Sequence, residues 1–136
     1  CFGCWTKTPG RCVIRDEATQ VYPCIAQSDA VLYVSRLAYG GYDIPMKTML
    51  ERAIPVQQAF IRIHQGETHH VQRDVKLKRA TIIAYGDTDE EERDIFRQLV
   101  ARNACNMSFA QHEIIFTTED MVNDTVKKTL EKWKKY

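Results

Sequence analysis

The sequence predicts an α/β fold on a parallel sheet, from three continuous apolar runs and the amphipathic helical segments between them. A strand covered on both faces reads as an unbroken run of β-branched and aromatic residues rather than as an alternation. Asp29-Ala-Val-Leu-Tyr-Val-Ser35 is the first such run, and Arg79-Ala-Thr-Ile-Ile-Ala-Tyr85 is the second, stopping at Gly86-Asp87. His112-Glu-Ile-Ile-Phe-Thr117 is the third. Right-handed crossovers would join them into parallel neighbours.

Each helix carries its own start signal. Asp43 is placed to cap a helix containing Pro45, Met46, Met49, Leu50 and Ala53. Thr88 followed by Glu91 has capping-box spacing, and Ile95, Phe96, Leu99 and Val100 then make an apolar stripe. Val122, Val126, Leu130 and Trp133 define one side of the last helix. An earlier helix would run from about Asp16 to Gln27, with a break or a late start imposed by Pro23. The stretch from 54 to 78 is long for a simple connection and is read as an inserted excursion within one domain spanning 1–136.

Composition narrows the function classes. Nineteen Lys and Arg stand against eighteen Asp and Glu, a net charge of +1, so no global field favours nucleic acid or an anionic membrane. The lysines at 127, 128, 132, 134 and 135 suit the C-terminal end of a helix. No apolar run reaches the roughly 18 residues of a membrane span. Five cysteines, an odd number, argue against an extracellular disulfide framework and favour the cytoplasm.

In open α/β sheets ligands bind outside the carboxyl ends of the strands. Three loops therefore matter: Ser35 to Asp43, Tyr85 to Thr88, and Thr117 to Asp120. In the first, Tyr39-Gly40-Gly41-Tyr42 lets backbone approach a flat ligand between two aromatic rings; an ordinary turn needing positive φ gives the same pattern. Cys1, Cys4 and Cys12 supply three thiolates where a [4Fe–4S] cluster takes four, so packed thiols are preferred over a cluster or zinc. His64, His69 and His70 with Glu67 lack helical ligand spacing, and metal binding there is the minor reading. Lys47 and Arg52 are helix-surface charges that could greet a nucleotide phosphate.

Three stretches, in order, resemble the flavodoxin-like NAD(P)H-dependent FMN reductases, including their iron–sulfur flavoprotein branch. They are Gly3-Cys4-Trp5 with Thr8-Pro9-Gly10 and Cys12-Val-Ile-Arg-Asp16; Tyr39-Gly-Gly-Tyr42 with Lys47 and Glu51-Arg-Ala-Ile-Pro55; and Phe60 with Gly66-Glu-Thr-His-His70 and Arg73. The resemblance implies a three-layer sandwich that binds FMN non-covalently. It implies electron transfer from NAD(P)H through the flavin to a quinone, flavin or metal-centre acceptor. Ser35, Leu37, Ala38, Tyr39, Gly40 and Gly41 would line the isoalloxazine and ribityl chain, with Tyr85, Gly86 and Asp87 at the ring's other edge. No side chain is required as an acid or base, and none is assigned as catalytic. Ser35-Arg36 departs from the Thr-Pro or Ser-Pro usual in the family. The family's first strand, phosphate-binding loop, first helix and second strand would all precede Cys1. The sheet would then lack its first two strands and first helix, leaving the Asp29–Ser35 run as an apolar edge for a second copy to cover. The alternative function is a flavin-free module that acts by oligomerisation or partner binding.

Overall fold

The computed structural model describes residues 2–135. Its elements in chain order are α1 (Cys4–Lys7), α2 (Ala18–Gln27), β1 (Ala30–Ala38), β2 (Gly41–Tyr42), α3 (Ile44–Arg52), β3 (Gln57–His64), β4 (Glu67–Gln72), β5 (Lys78–Tyr85), α4 (Glu90–Asn106), β6 (Phe109–Thr117) and α5 (Val122–Trp133), with a 3-10 turn at Ile54–Val56. The sheet order is β2-β1-β5-β6, in which β1, β5 and β6 run parallel and β2 folds back antiparallel on β1. The mixed α/β class with a mostly parallel sheet is thus as the apolar runs predict. Among the described residues no helix is long and apolar enough to cross a membrane.

Of the three runs, only β5 is covered on both faces: Ala80 to Ala84 are all buried. Ala80, Ile82 and Ala84 pack with Phe96 and Val100 of α4, while Thr81 donates to Glu113, which also meets Lys132 of α5. The outer strands differ from the sequence expectation. In β1 the buried residues alternate as Val31, Tyr33, Ser35 and Leu37, and Ala110 to Glu113 of β6 are exposed. Both strands pair with β5 on one side, and β2 covers β1 only at Leu37 and Ala38. Each therefore has one side of its ladder wholly or largely open.

Three further expectations are corrected. The cap of α4 is Asp89, whose carboxylate accepts from the Glu92 amide, and Thr88 instead accepts from Arg93 Nε. Helix α2 starts late, at Ala18, but continues unbroken through Pro23, because that residue sits on the exposed face where a lost amide bond is replaced by solvent. On α5 the inward face carries Thr129, with Val122, Val126 and Trp133 half-buried, whereas Leu130 is exposed.

The excursion is a β-hairpin. β3 and β4 form their own two-stranded antiparallel sheet, reversing at Gln65-Gly66 with φ of 53° and 80°. Gln57 and Gln72 anchor its base by donating to the Asn106 carbonyl at 2.6 and 3.1 Å. Just beyond it, Lys78 is 1% exposed, and its ammonium donates to the carbonyls of Lys76 and Ala26 at 2.6 and 3.4 Å. Burial pulls its pKa below the usual lysine range.

Candidate functional site

Parallel pairing puts the ends of β1, β5 and β6 on one edge. Arg36 lies opposite Tyr85, and Tyr85 opposite Thr117, so the three stand in a row. The Gly86 amide donates to the Thr117 carbonyl at 3.3 Å, tying two of the loops together. Gly86 has φ of 130°, and a Cβ there would sit 3.7 Å from Cγ of Arg36, so the arginine stem lies against it.

After Arg36 the chain makes a tight hairpin. Tyr39 and Gly40 have φ of 52° and 71°, both positive as a type I′ two-residue turn requires. A Cβ on Gly40 would meet Ile95 Cγ2 at 2.6 Å, so this glycine seats the hairpin on α4. The ring of Tyr39 is 97% exposed. Ser35 is buried and its hydroxyl is spent: it donates to the Arg36 carbonyl at 2.9 Å and accepts from the Asp43 amide at 3.1 Å. Leu37 is core. Ala38, Gly41, Tyr85 and Gly86 are half-buried and Asp87 is exposed, so these residues with Tyr39 form the reachable surface of the edge.

The helix N-termini at this edge each carry a carboxylate, as a side-chain cap on α3 and α4 and as a first-turn residue on the uncapped α5. Asp43 accepts from the Met46 amide and is followed by Pro45, which has no N–H. Asp89 caps α4 ahead of Glu90, Glu91 and Glu92, and Asp124 lies in the first turn of α5. An anion gains from a helix N-terminus only where amides are free and no carboxylate competes. Among the described residues, none of these helices offers that to a phosphate.

A second concave region, a groove of about 730 Å³, runs from Gly41 and Tyr42 along α3 to α1, the hairpin base and α4. Trp5 is buried in its wall, with its ring edge-on to His70 at 5.1 Å. Cys4, Cys12 and Arg52 also border it. Arg52 forks onto Asp16, with Nη2 donating to Oδ1 at 2.8 Å and Nη1 bonding Oδ2, and Nη2 also reaches the Cys12 sulfur at 3.7 Å. The Ile14 amide is the main influence holding the Cys12 thiol below its ordinary pKa; burial opposes it, and hydrogen bonds from Arg52 and Cys4 add to it. Arg52 likewise holds Asp16 below the usual carboxylate range. Nε of Arg52 and Nδ1 of His70 are buried without a hydrogen-bond partner among the described residues.

His64 and His69 meet edge-on at 6.0 Å, but the three histidines share no common centre. His69 bonds Asn106 through Nδ1 at 2.9 Å and Glu67 through Nε2 at 3.0 Å, while His70 turns to Trp5. Among the described residues no group of three or more His, Cys, Asp or Glu side chains has the geometry to hold a metal ion; Cys1 lies outside them. The cluster of Cys4, Cys12, Asp16 and Arg52 was not assembled by sequence reading, because thirty-six residues separate the two ion-pair partners. Comparisons with protein-family models, curated proteins and solved structures return no match.

Proposed function

We propose that this chain is a flavodoxin-like three-layer sandwich that binds the isoalloxazine end of FMN and serves as an NAD(P)H-dependent oxidoreductase. The observation that carries the reading is the row of Arg36, Tyr85 and Thr117 at the carboxyl edge, with Gly86 bare of a side chain and Tyr39 exposed beside it. Such an edge is where open parallel sheets take flat ligands. Bound FMN would supply two-electron chemistry, accepting from NAD(P)H and releasing to a quinone, flavin or metal-centre acceptor.

The chain's own residues divide that work. Tyr39 offers a ring face, Ala38 and Gly41 offer backbone, the buried Gly40 seats the turn against Ile95, and Tyr85, Gly86 and Asp87 border the opposite side. Ser35 and Leu37 act from beneath by fixing the loop. Arg36 places positive charge where a reduced ring gathers electrons. The fit covers the ring and not the phosphate, since the nearby helix N-termini carry their own carboxylates.

A fluorescence titration tests this directly. FMN and riboflavin should both be quenched, with dissociation constants within about threefold of each other because the phosphate adds little. Tyr39→Ala should weaken both by about three- to tenfold, the usual worth of an aromatic contact, without altering the fold of so exposed a site. Absence of quenching by either flavin at micromolar protein overturns the proposal.

The flavin-free module is the second reading. It is favoured by the β1 edge, which β2 covers only at Leu37 and Ala38, and by Phe60, Ile61 and Ile63 standing 66–74% exposed on the hairpin. Sedimentation of the same samples separates the two. A flavin-free homodimer supports the module, and a flavin-free monomer defeats both.

A further inference from the structure

The thiol cluster is built by local turn chemistry. Helix α1 starts at Cys4 and stops at Lys7, and the Arg11 amide then donates to the Thr8 carbonyl across Pro9-Gly10. Gly10 takes φ of 72°, the conformation a Pro-Gly turn needs at its third position. The reversal returns the chain so that Cys4 and Cys12 line the same groove, with the Cys4 thiol among the groups that favour charge on Cys12. Tyr22 braces the turn, its hydroxyl lying 3.5 Å from the Gly10 carbonyl and accepting from the Cys12 amide at 3.4 Å. Arg52 then closes on the sulfur from α3.

Cys12 also borders two hollows, the groove beside Trp5 and a more polar one of about 940 Å³ formed by the 8–23 segment. It is therefore reachable from solvent while its charge is held by fixed donors. Cys24 and Cys105 have different surroundings: they donate to the Gln20 carbonyl at 3.3 Å and to Gln65 Oε1 at 3.7 Å, both neutral oxygens.

We propose that Cys4 and Cys12 form a reversible two-electron thiol–disulfide couple, with Cys12 as the attacking sulfur and small organic disulfides as the exchange partner. The Cys12 thiolate attacks one sulfur of R–S–S–R, forming a Cys12–S–S–R bond and expelling RS⁻. Cys4 gives up its proton to solvent, and its sulfur attacks that of Cys12, forming the intramolecular disulfide and expelling a second RS⁻. The protein loses two electrons and, counting from two neutral thiols, two protons; the small disulfide becomes two thiols. Arg52 stabilises the attacking thiolate, and the short turn supplies the resolving thiol at high effective concentration.

The couple can be read without any added flavin, so it stands or falls apart from the oxidoreductase reading. The full chain carrying Cys1→Ser is equilibrated with oxidised glutathione, quenched in acid, alkylated and digested with trypsin, which cuts at Lys7 and Arg11 between the two thiols. A peptide pair joined through Cys4 and Cys12, lost on adding excess reduced glutathione, is the expected result. Full alkylation of both thiols, or a bond to Cys24 or Cys105 instead, overturns the proposal. In the Cys4→Ser chain, Cys12 should react with iodoacetamide at neutral pH about tenfold faster than Cys24, as a thiol with lowered pKa does. Its rate should reach half-maximum at lower pH than that of Cys24. Arg52→Gln should slow Cys12 several-fold and Arg52→Lys much less. Equal rates and equal pH profiles for Cys12 and Cys24 in the folded Cys4→Ser chain would remove Cys12 from the attacking role.

Discussion

Two regions of this chain are stabilised in different ways. Around β5 and α4 the core is dry: Ile82, Ile83, Phe96 and Val100 are at 0% exposure, and their packing is apolar. The region of α1, the Cys12 loop, α3 and the β3–β4 hairpin shares that core at Ala53, Val56, Met46, Met49 and Leu50, and adds one buried tryptophan, a forked ion pair and hydrogen bonds to the end of α4. The flavin edge proposed above is set on the first region, and the thiol couple on the second. Rigidity at the sheet edge suits a ligand that needs a fixed surface. A dithiol that must open and close bonds is better placed where local motion costs little.

Phe96→Ala should break the dry region hardest. Its ring meets Tyr42 edge-on at 4.9 Å and Phe116 at 6.3 Å. Removing a fully buried phenyl ring costs about 3–5 kcal/mol, read as a lowered urea midpoint with unchanged slope. Alkylation of Cys12 in the folded variant should be unaffected, since none of the groups that hold its charge touches Phe96. A change in that rate would mean that the two regions are one.

The next largest effect concerns the seat of the Tyr39-Gly40 turn. Gly40→Ala places a methyl 2.6 Å from Ile95 Cγ2 and 2.8 Å from its Cβ, at a φ of 71°. Overpacking and left-handed strain together should cost about 2–4 kcal/mol. Ile95 is 47% exposed, so Ile95→Ala alone should cost little. In the double variant the 2.6 Å approach to Cγ2 is gone while the 2.8 Å approach to Cβ stays, so the loss should fall below the sum of the two single losses yet remain above the about 1–2 kcal/mol of backbone strain alone. Strictly additive losses would show that the hairpin does not rest on α4.

These contrasts also mark what the sequence could disclose. The β5 run was legible because both of its faces are covered, so its buried positions are apolar except Thr81, whose hydroxyl is satisfied by Glu113. β1 and β6 also carry apolar runs but have less cover, and an apolar run alone does not register how many neighbours a strand has. Asp43 was legible as a cap from its place before Pro45. Thr88 was misread because Asp89, one residue on, competes for the same amides and is the better cap. The β3–β4 hairpin left one overlooked signal: Gln65-Gly66 takes the same pair of positive φ values as Tyr39-Gly40, between β-branched flanks at Ile61, Ile63 and Thr68. Of the candidate site residues, those at the sheet edge follow from topology. The Arg52–Asp16 fork does not, because contact across so long a separation is set by the fold alone.

The smallest effect comes from that fork, and it is the sharpest probe of how the second region holds together. Arg52 keeps the Asp16 carboxyl below the ordinary carboxylate range. A folded value below the unfolded one contributes stability that is complete above the unfolded pKa and is lost as pH falls through the folded value. Asp16→Asn should therefore lower the unfolding midpoint by a small, constant amount from neutral pH down to about pH 4, the unfolded carboxylate value. Below that the gap should close, because the wild-type carboxyl is protonated as well. The gap should be modest throughout, since the Asp16 side chain is 43% exposed and water competes for its charge. Melting both proteins across that range in low and high salt is sufficient. Asp16→Asn keeps the oxygen that accepts from the Ala18 amide, so the absence of a gap at every pH would mean that Asp16 serves through that neutral hydrogen bond. The Cys12 loop would then be anchored by turn geometry, and Arg52 would be free to serve the thiol alone.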